Sequence, residues 1–343
     1  MIDVTALLER VAAGQSLTED EAGALLTVMA EGGLSPAQAG GILVALRMKG
    51  ETPDEIRGLA TAMRRLAVKP PLPEGGAYVD VVGTGGDGSG SLNLSTGSAI
   101  LAAAAGARVV KHGNRAVSGR SGSADVLAAL GLPIPLQPEL AACCLEEIGF
   151  TFLFAPHFHP AMGEIAPVRK ALGVRTVFNV LGPLSNPAAP PFMVVGAFSP
   201  GAARVMARTL AGMPGVERAF VVHGAGGWDE PTPVGPFLCL DVRQGRVDET
   251  VRDPAAYGLE RCDPAVLAGG EPEANARRLS AALAGDDHPA HRDALALGAA
   301  LALEVTGAVA DTREGIDAAR LAIADGSATR VLEGLARVGS AVA

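Results

Sequence analysis

Two loops carry the residues best suited to holding phosphate. The first is Gly83-Thr84-Gly85-Gly86-Asp87-Gly88-Ser89-Gly90-Ser91, with five glycines, and it runs on into Asn93-Leu94-Ser95-Thr96-Gly97-Ser98. Glycines let backbone N–H groups approach an anion closely. Hydroxyls and unpaired N–H groups at a helix start suit the same ligand. The loop formally contains GxGxxG, but the following strand ends in Lys111-His112 rather than in the acid that a dinucleotide ribose needs. No GK[ST] follows it, which excludes a Walker loop. The second loop runs from Lys111 to Asp125, KHGNRAVSGRSGSAD. It sets three cations and three serines among three glycines, a composition for gripping several phosphate oxygens.

Two further segments carry ionisable groups. His157 and His159 flank Phe158, and they would share one side of an extended backbone. No third ligand accompanies them, so structural or substrate-lining roles fit better than a metal pair. Arg169 could grip a carboxylate with its guanidinium fork or serve as a surface charge. The stretch from Arg175 to Asn179 leads into Leu181-Gly182-Pro183-Leu184-Ser185-Asn186-Pro187. Beyond a later strand stands His223-Gly224-Ala225-Gly226-Gly227-Trp228-Asp229-Glu230. Adjacent carboxylates on a loop can both reach a metal ion. Mg²⁺ favours one or two carboxylates completed by phosphate oxygens.

These loops need elements to hold them. Residues 1–67 read as about four helices. Thr18-Glu19-Asp20-Glu21 and Thr52-Pro53-Asp54-Glu55 have capping-box spacing, Pro36 follows Ser35 as a first-turn proline follows an N-cap, and Gly50 ends a helix. A Pro/Gly stretch at 69–76 reads as a hinge. Strands are then expected at Tyr78–Val82, Ala107–Lys111, Phe152–Phe154, Met193–Phe198 and Ala219–His223. Helices are expected at Ser95–Ala105, Pro138–Ile148 and Ala202–Ala211. That alternation implies a mostly parallel sheet flanked by helices, with the two phosphate loops sharing its C-terminal edge. Phe237–Leu240 and Val247–Val251 read as an added strand pair. The tail returns to helices at Glu271–Leu283, Pro289–Thr306, Thr312–Ala324 and Thr329–Val338. The expected class is α/β: a helical domain over 1–68, with a contribution from about 165–190, and a larger domain over 77–343.

Composition narrows the function classes. A chain of 343 residues, 48% hydrophobic, can bury a large core. Its net charge of −9 and 3% aromatic content give no basic footprint and few rings for stacking bases, which argues against nucleic acid as partner. Four cysteines (Cys143, Cys144, Cys239, Cys262) form neither a disulfide framework nor a zinc spacing, and the adjacent pair reads as buried free thiols. The N-terminus lacks a signal-peptide pattern, and the longest apolar run, Ala99 to Ala107, is far short of the roughly 20 residues of a membrane span. A soluble cytoplasmic protein is expected.

Together the motifs GTGGD, NLST, KHGNRAVSGRSGSAD, FHPAM, RTVFNVLGPLSNP and the DE pair after VHG resemble the anthranilate phosphoribosyltransferase family over nearly the whole chain. The resemblance implies a small helical domain beside a larger α/β domain, forming a homodimer through the helical part. It implies transfer of the phosphoribosyl group of phosphoribosyl pyrophosphate (PRPP) to the anthranilate amine in tryptophan biosynthesis, with Mg²⁺ as cofactor. On this likeness PRPP would be bound by Gly83, Gly86, Asp87, Ser91, Asn93, Leu94, Ser95 and Thr96, by Lys111, His112, Gly113, Asn114, Arg115, Ala116, Val117, Ser118 and Gly119, and by Ser123. Ser95, Asp229 and Glu230 would serve magnesium. Gly83, Asn114 and Arg169 would contact anthranilate, with His112 and His159 near its pathway. Ser91 stands where the family often has threonine, and Trp228 where it usually has an aliphatic residue. Any anthranilate synthase partner would be a separate chain. Two relatives of the same fold stand as alternatives: a pyrimidine nucleoside phosphorylase and a non-catalytic nucleic-acid-binding protein.

Overall fold

Local capping chemistry starts the N-terminal helices. The computed structural model describes residues 2–116 and 119–342, and its first four helices are α1 (Val4–Ala12), α2 (Glu19–Ala30), α3 (Pro36–Lys49) and α4 (Pro53–Leu66). Thr18, Ser35 and Thr52 each accept from the backbone three residues on, and Glu21, Gln38 and Glu55 close the three capping boxes. Gly50 ends α3 at φ 84°, a conformation that favours glycine. Glu55 is fully buried, yet it is satisfied: its carboxylate accepts from the N–H groups of Leu17 and Thr52 and from Lys49 Nζ, each at 2.8 Å. α2 packs along α4, and α1 against α3. The close approach of α2 to α4 runs through Gly23 and Gly58, where a Cβ at Gly58 would overlap the Glu19 carbonyl.

A single seven-stranded sheet forms the larger part. Its strands are β1 (Tyr78–Gly83), β2 (Arg108–Gly113), β3 (Phe150–Phe154), β4 (Phe192–Gly196), β5 (Arg218–His223), β6 (Phe237–Arg243) and β7 (Arg246–Arg252). The order is β3-β2-β1-β4-β5-β6-β7: the first five pair in parallel, and β6 and β7 extend the edge as an antiparallel hairpin. From β1 the chain first builds outward through β2 to β3 and then returns to the other side of β1 with β4. That reversal opens a crevice at the carboxyl ends of β1 and β4, the usual place for a ligand in such sheets.

Both sheet faces are covered, and side chains alternate between them with the strand period of two. Val81, Val194, Phe220 and Val222 join the core formed with α5 (Leu94–Ala104), α6 (Ser123–Ala129), α7 (Pro138–Ile148) and the C-terminal helices. Val82, Met193, Val195, Ala219 and Val221 face the other way. There they share one apolar cluster with α1 to α4, with α9 (Ala166–Leu172) and α10 (Phe178–Leu184), and with α11 (Pro200–Ala211). A four-residue α8 (Ala155–Phe158) precedes these, and α12 (Pro272–Ala284), α13 (Pro289–Thr306), α14 (Thr312–Ala324) and α15 (Ser327–Val342) complete the chain. α13 crosses α5 closely, because Gly97 and Gly298 leave room for Leu295 and Ser98.

The expected strands and C-terminal helices are present within a few residues of their bounds. Two expectations change. Cys144 is buried and its thiol is pushed up to about 12 by burial, but Cys143 is exposed. On a helix, adjacent side chains point about 100° apart, so only one of the pair can face the core. The His157–His159 segment is also not extended: α8 turns there, and the two histidines part company.

Candidate active site

The glycine loop leaves β1 by a path open mainly to glycine. Gly85, Gly86, Gly88 and Gly90 all have φ between 58° and 77°. Across from it, Asp229 and Glu230 lie over the ends of β1 and β4. A Cβ at Gly83 would strike the Asp229 carboxylate, one at Gly196 the Asp229 carbonyl, and one at Gly224 the Glu230 carbonyl. Three glycines thus let the acidic pair rest directly on the strand ends.

Backbone donors hold both carboxylates. Gly85 N–H donates to Asp229 Oδ2 at 2.5 Å, and Thr84 Oγ1 lies 3.4 Å from the same oxygen. Ser95 N–H, in the first turn of α5, donates to Glu230 Oε1 at 2.9 Å, while Ser91 Oγ donates to Oε2 at 3.0 Å. Asp87 accepts from the Asp229 N–H at 3.2 Å. Asp229 is buried and Glu230 half-buried. Burial first, and then the neighbouring carboxylates, raise both above the ordinary carboxylate range. No arginine or lysine pairs with either among the described residues, nor do three His, Cys, Asp or Glu side chains there form a closed metal cluster. Such a pair of crowded carboxylates fits a divalent cation that arrives with phosphate oxygens of its own.

The basic loop leaves β2 beside this ledge. Asp125, in the first turn of α6, closes it by accepting from Ala116 N–H at 2.9 Å and Gly122 N–H at 3.0 Å, and by pairing with Arg115 at 2.8 Å. Ser123 Oγ donates to the Asn114 carbonyl at 3.2 Å. Asn114, Arg115 and Gly119 are exposed, and Val117 and Ser118 lie outside the described residues. Asn93 joins the two loops: its Nδ2 donates to the Ser121 carbonyl at 3.0 Å. Gly113, at the end of β2, fits against Ser123 and Phe152. Leu94 faces the core, so only its backbone can meet a ligand, and Thr96 Oγ1 is buried without a partner among the described residues.

Beneath the loops runs a buried polar row. Lys111 donates from Nζ to the Val81 carbonyl at 2.5 Å and lies 3.4 Å from Ser95 Oγ; burial lowers its pKa. Asp80, held above its ordinary range at about 6 by burial, accepts from His112 N–H at 3.2 Å and Asn186 Nδ2 at 2.8 Å. His112 Nδ1 faces the Gly182 carbonyl at 3.2 Å, which makes it the protonated nitrogen. His112 and His159 meet edge to face at 5.2 Å, and the Nε2 atom of each is buried and unpartnered among the described residues. Burial lowers them to about 3 and about 4, so both are neutral at pH 7. Unpaired nitrogens on two neighbouring buried rings can each take a polar ligand atom or water.

Arg169 is exposed on α9, with its guanidinium over the Phe178 ring at 4.8 Å. Phe178 begins α10, the helix whose Gly182 carbonyl faces His112, so α10 links the arginine to the histidine pair. The sequence reading missed several supports. Asp80 and Asn186 act inside the fold, through partners distant in sequence, and no local pattern announces them; Asp125 closes the basic loop through residues of that same loop. Arg175 contacts the Gly86 carbonyl while Arg47 of α3 donates to the Arg175 carbonyl at 2.8 Å, so the helical part is tied to the glycine loop. The cation in RTVFN was the available signal.

Known proteins match this arrangement. The model of the glycosyl transferase family a/b domain matches residues 75–329, and that of its helical bundle domain matches residues 5–67. An anthranilate phosphoribosyltransferase of Rubrobacter xylanophilus is 46% identical over 331 residues, 96% of each chain. One from Pelotomaculum thermopropionicum is 47% identical over 330 residues, 96% of this chain and 94% of the relative. The crystal structure of the Thermus thermophilus anthranilate phosphoribosyltransferase superposes with a TM-score of 0.91 at 41% identity, covering 99% of this chain and all of that one. The Saccharomyces cerevisiae enzyme in complex with PRPP and Mg has a TM-score of 0.90 at 28% identity, with 98% of each chain covered.

Proposed function

This chain belongs to the anthranilate phosphoribosyltransferase family, and from that premise we propose how its own residues carry the family's reaction. The protein transfers the 5-phosphoribosyl group of PRPP to the amine of anthranilate, releasing pyrophosphate, in tryptophan biosynthesis. One observation supports the site assignment above the others: Asp229 and Glu230 lie across the strand ends against the glycine loop, with the basic loop beside them.

In this reading PRPP lies along the glycine loop and the start of α5. The backbone of Gly83 and Gly86, the side chains of Asp87, Ser91, Asn93, Ser95 and Thr96, and the basic loop through Ser123 surround its phosphates. Asp229, Glu230 and Ser95 hold magnesium, which supplies charge neutralisation for the departing pyrophosphate. Lys111 adds a fixed positive field from below.

Anthranilate enters past His112 and His159. Arg169 grips its carboxylate, while Gly83 and Asn114 border it. Its aryl amine is neutral at pH 7 and attacks the anomeric carbon opposite the leaving group, through an oxocarbenium-like transition state. No side chain is assigned as base. Holding the two reactants in line can by itself contribute about 7–11 kcal/mol to the barrier reduction. Residues 69–76 act as the hinge between the helical part and the sheet during closure.

Two copies associate through the helical part. Met48, 83% exposed on α3, offers an apolar contact there. A cytoplasmic location, with a separate anthranilate synthase supplying the acceptor, completes the reading. No helix among the described residues is long and apolar enough to cross a membrane. The test follows anthranilate fluorescence with the purified protein, PRPP and Mg²⁺, omitting each in turn. Loss of fluorescence that needs all components is expected. A folded protein that consumes no anthranilate under working assay conditions would overturn the reading.

A further inference from the structure

Asn275 reaches the phosphate side of the site from the C-terminal helices. It stands in α12 and is 1% exposed. Its Oδ1 accepts from Gly270 N–H at 2.7 Å, and its Nδ2 donates to Asn93 Oδ1 at 2.9 Å. Asn93 Oδ1 also accepts from Ser121 Oγ at 2.9 Å, while Asn93 Nδ2 donates to the Ser121 carbonyl at 3.0 Å.

Backbone groups settle both amide orientations. The Gly270 N–H can only donate, so Asn275 presents oxygen to it and nitrogen to Asn93. The Ser121 carbonyl can only accept, so Asn93 presents nitrogen to it. The result is a polarised chain from Gly270 through the two amides to Ser121. The segment carrying Gly270 also pairs with the glycine loop: Leu92 N–H donates to the Leu267 carbonyl at 2.9 Å, and Gly269 N–H to the Gly90 carbonyl at 2.7 Å. Asn93 is the N-cap residue of α5, a position where asparagine commonly bonds its own helix, yet its side chain makes no capping bond. It is committed to Asn275 and Ser121 instead.

We propose that Asn275 is a positioning residue for PRPP, holding the Asn93 amide with its oxygen turned toward Asn275 and Ser121 and an N–H available to a phosphate oxygen. The proposal rests on the assignment of Asn93 to the PRPP site. Phosphate attracts an N–H and repels an amide oxygen, so the orientation of this one group decides whether Asn93 helps or hinders binding. Removing Asn275 takes from the Asn93 oxygen one of its two donors and leaves the amide held from the Ser121 side alone, free to shift about that anchor.

The experiment is steady-state kinetics on full-length variants, with melting curves to establish folding. Asn275→Ala is expected to raise the KM for PRPP about tenfold, or about 1.4 kcal/mol, with the KM for anthranilate within about twofold of wild type. Asn93→Ala is expected to raise the PRPP KM comparably, and adding Asn275→Ala to it to raise the KM no further. Asn275→Asp provides the second arm if the alanine variant does not fold. It keeps the acceptor for Gly270 and loses the donor to Asn93, so it too raises the PRPP KM. A wild-type PRPP KM in the Asn275 variants, with a raised one in Asn93→Ala, would overturn the inference and leave the Asn93 assignment standing. An unchanged KM in Asn93→Ala would remove that assignment and the inference together. Additive effects in the double variant would show that Asn275 does not act through Asn93, and would likewise overturn it.

Discussion

Asp229 and Glu230 sit where burial and crowding outweigh the hydrogen bonds that favour their charge. Burial and mutual repulsion oppose ionisation of both, and no protein cation pairs with either among the described residues. Replacing the pair by Asn and Gln keeps the shape and removes the repulsion. The expected outcome is a melting temperature in metal-free buffer at or above that of wild type, with turnover lowered at least about 100-fold. A variant that loses stability and activity together would mean that the carboxylates serve the fold. Arg169 has a narrower task. Arg169→Ala is expected to raise the KM for anthranilate about tenfold while leaving that for PRPP nearly unchanged, and Arg169→Lys to recover little, because an ammonium cannot form the fork. The histidine pair predicts a pH dependence. His112 and His159 are held near 3 and 4, below the ordinary value of 6.5. Between 6.5 and those values the unfolded chain takes up protons that the folded chain refuses, so their effect is a loss of stability as pH falls through that window. Above 6.5 the loss is absent. His159→Gln removes one of these protons, and its stability is expected to fall less steeply than that of wild type between about pH 6.5 and 4, by at most about 1.4 kcal/mol per pH unit. Denaturant titrations across that range measure the slope.

At the scale of elements, what was legible in the sequence was what is decided locally. A cap joins residues three apart, so the starts of α2, α3 and α4 could be read from Thr18, Ser35 and Thr52. Apolar runs closed by glycine loops announced β1 and β2. The helices α9 and α10 lie in the 165–190 segment expected to join the helical part, but no cap or apolar period marked their bounds. Each is only seven residues long, and α10 contains Pro183, so neither has much helix stability of its own. They form because Val168, Leu172, Leu181 and Leu184 pack against the N-terminal helices and the sheet. The site divides the same way. Its glycines, cations and paired acids were visible as types in loops. The supports Asp80 and Asn186 were not, because their partners are set by the fold. The packing of α2 on α4 supplies a prediction at this scale. A methyl group at Gly58 has no room beside the Glu19 carbonyl, so Gly58→Ala is expected to cost about 1–3 kcal/mol in chemical denaturation, despite the better helix propensity of alanine.

Over the whole molecule, the apolar cluster under the N-terminal helices does not stop at the linker. It runs from Leu25 and Leu43 in the bundle through Met206 and Leu210 of α11 to Met193 and Val221 on the sheet. α4 packs against both α10 and α11. A chain without residues 1–68 is therefore expected to expose this face. Compared with the full protein, it should bind a hydrophobic dye strongly and sediment as aggregates. A monodisperse, dye-silent truncation would show that the two parts stand alone. The shared cluster also bears on how such a protein can be recombined. A crossover placed in the linker would inherit two halves of one core from different parents, with mismatched volumes at α4, α10 and α11. The unit that shares this core is discontinuous in sequence: residues 4–66, α9 to α11, and the sheet face they cover on β1, β4, β5 and β6. Hybrids between relatives should keep their heritable stability only when those segments travel together, although the most inviting place to cut is the proline-rich stretch between them.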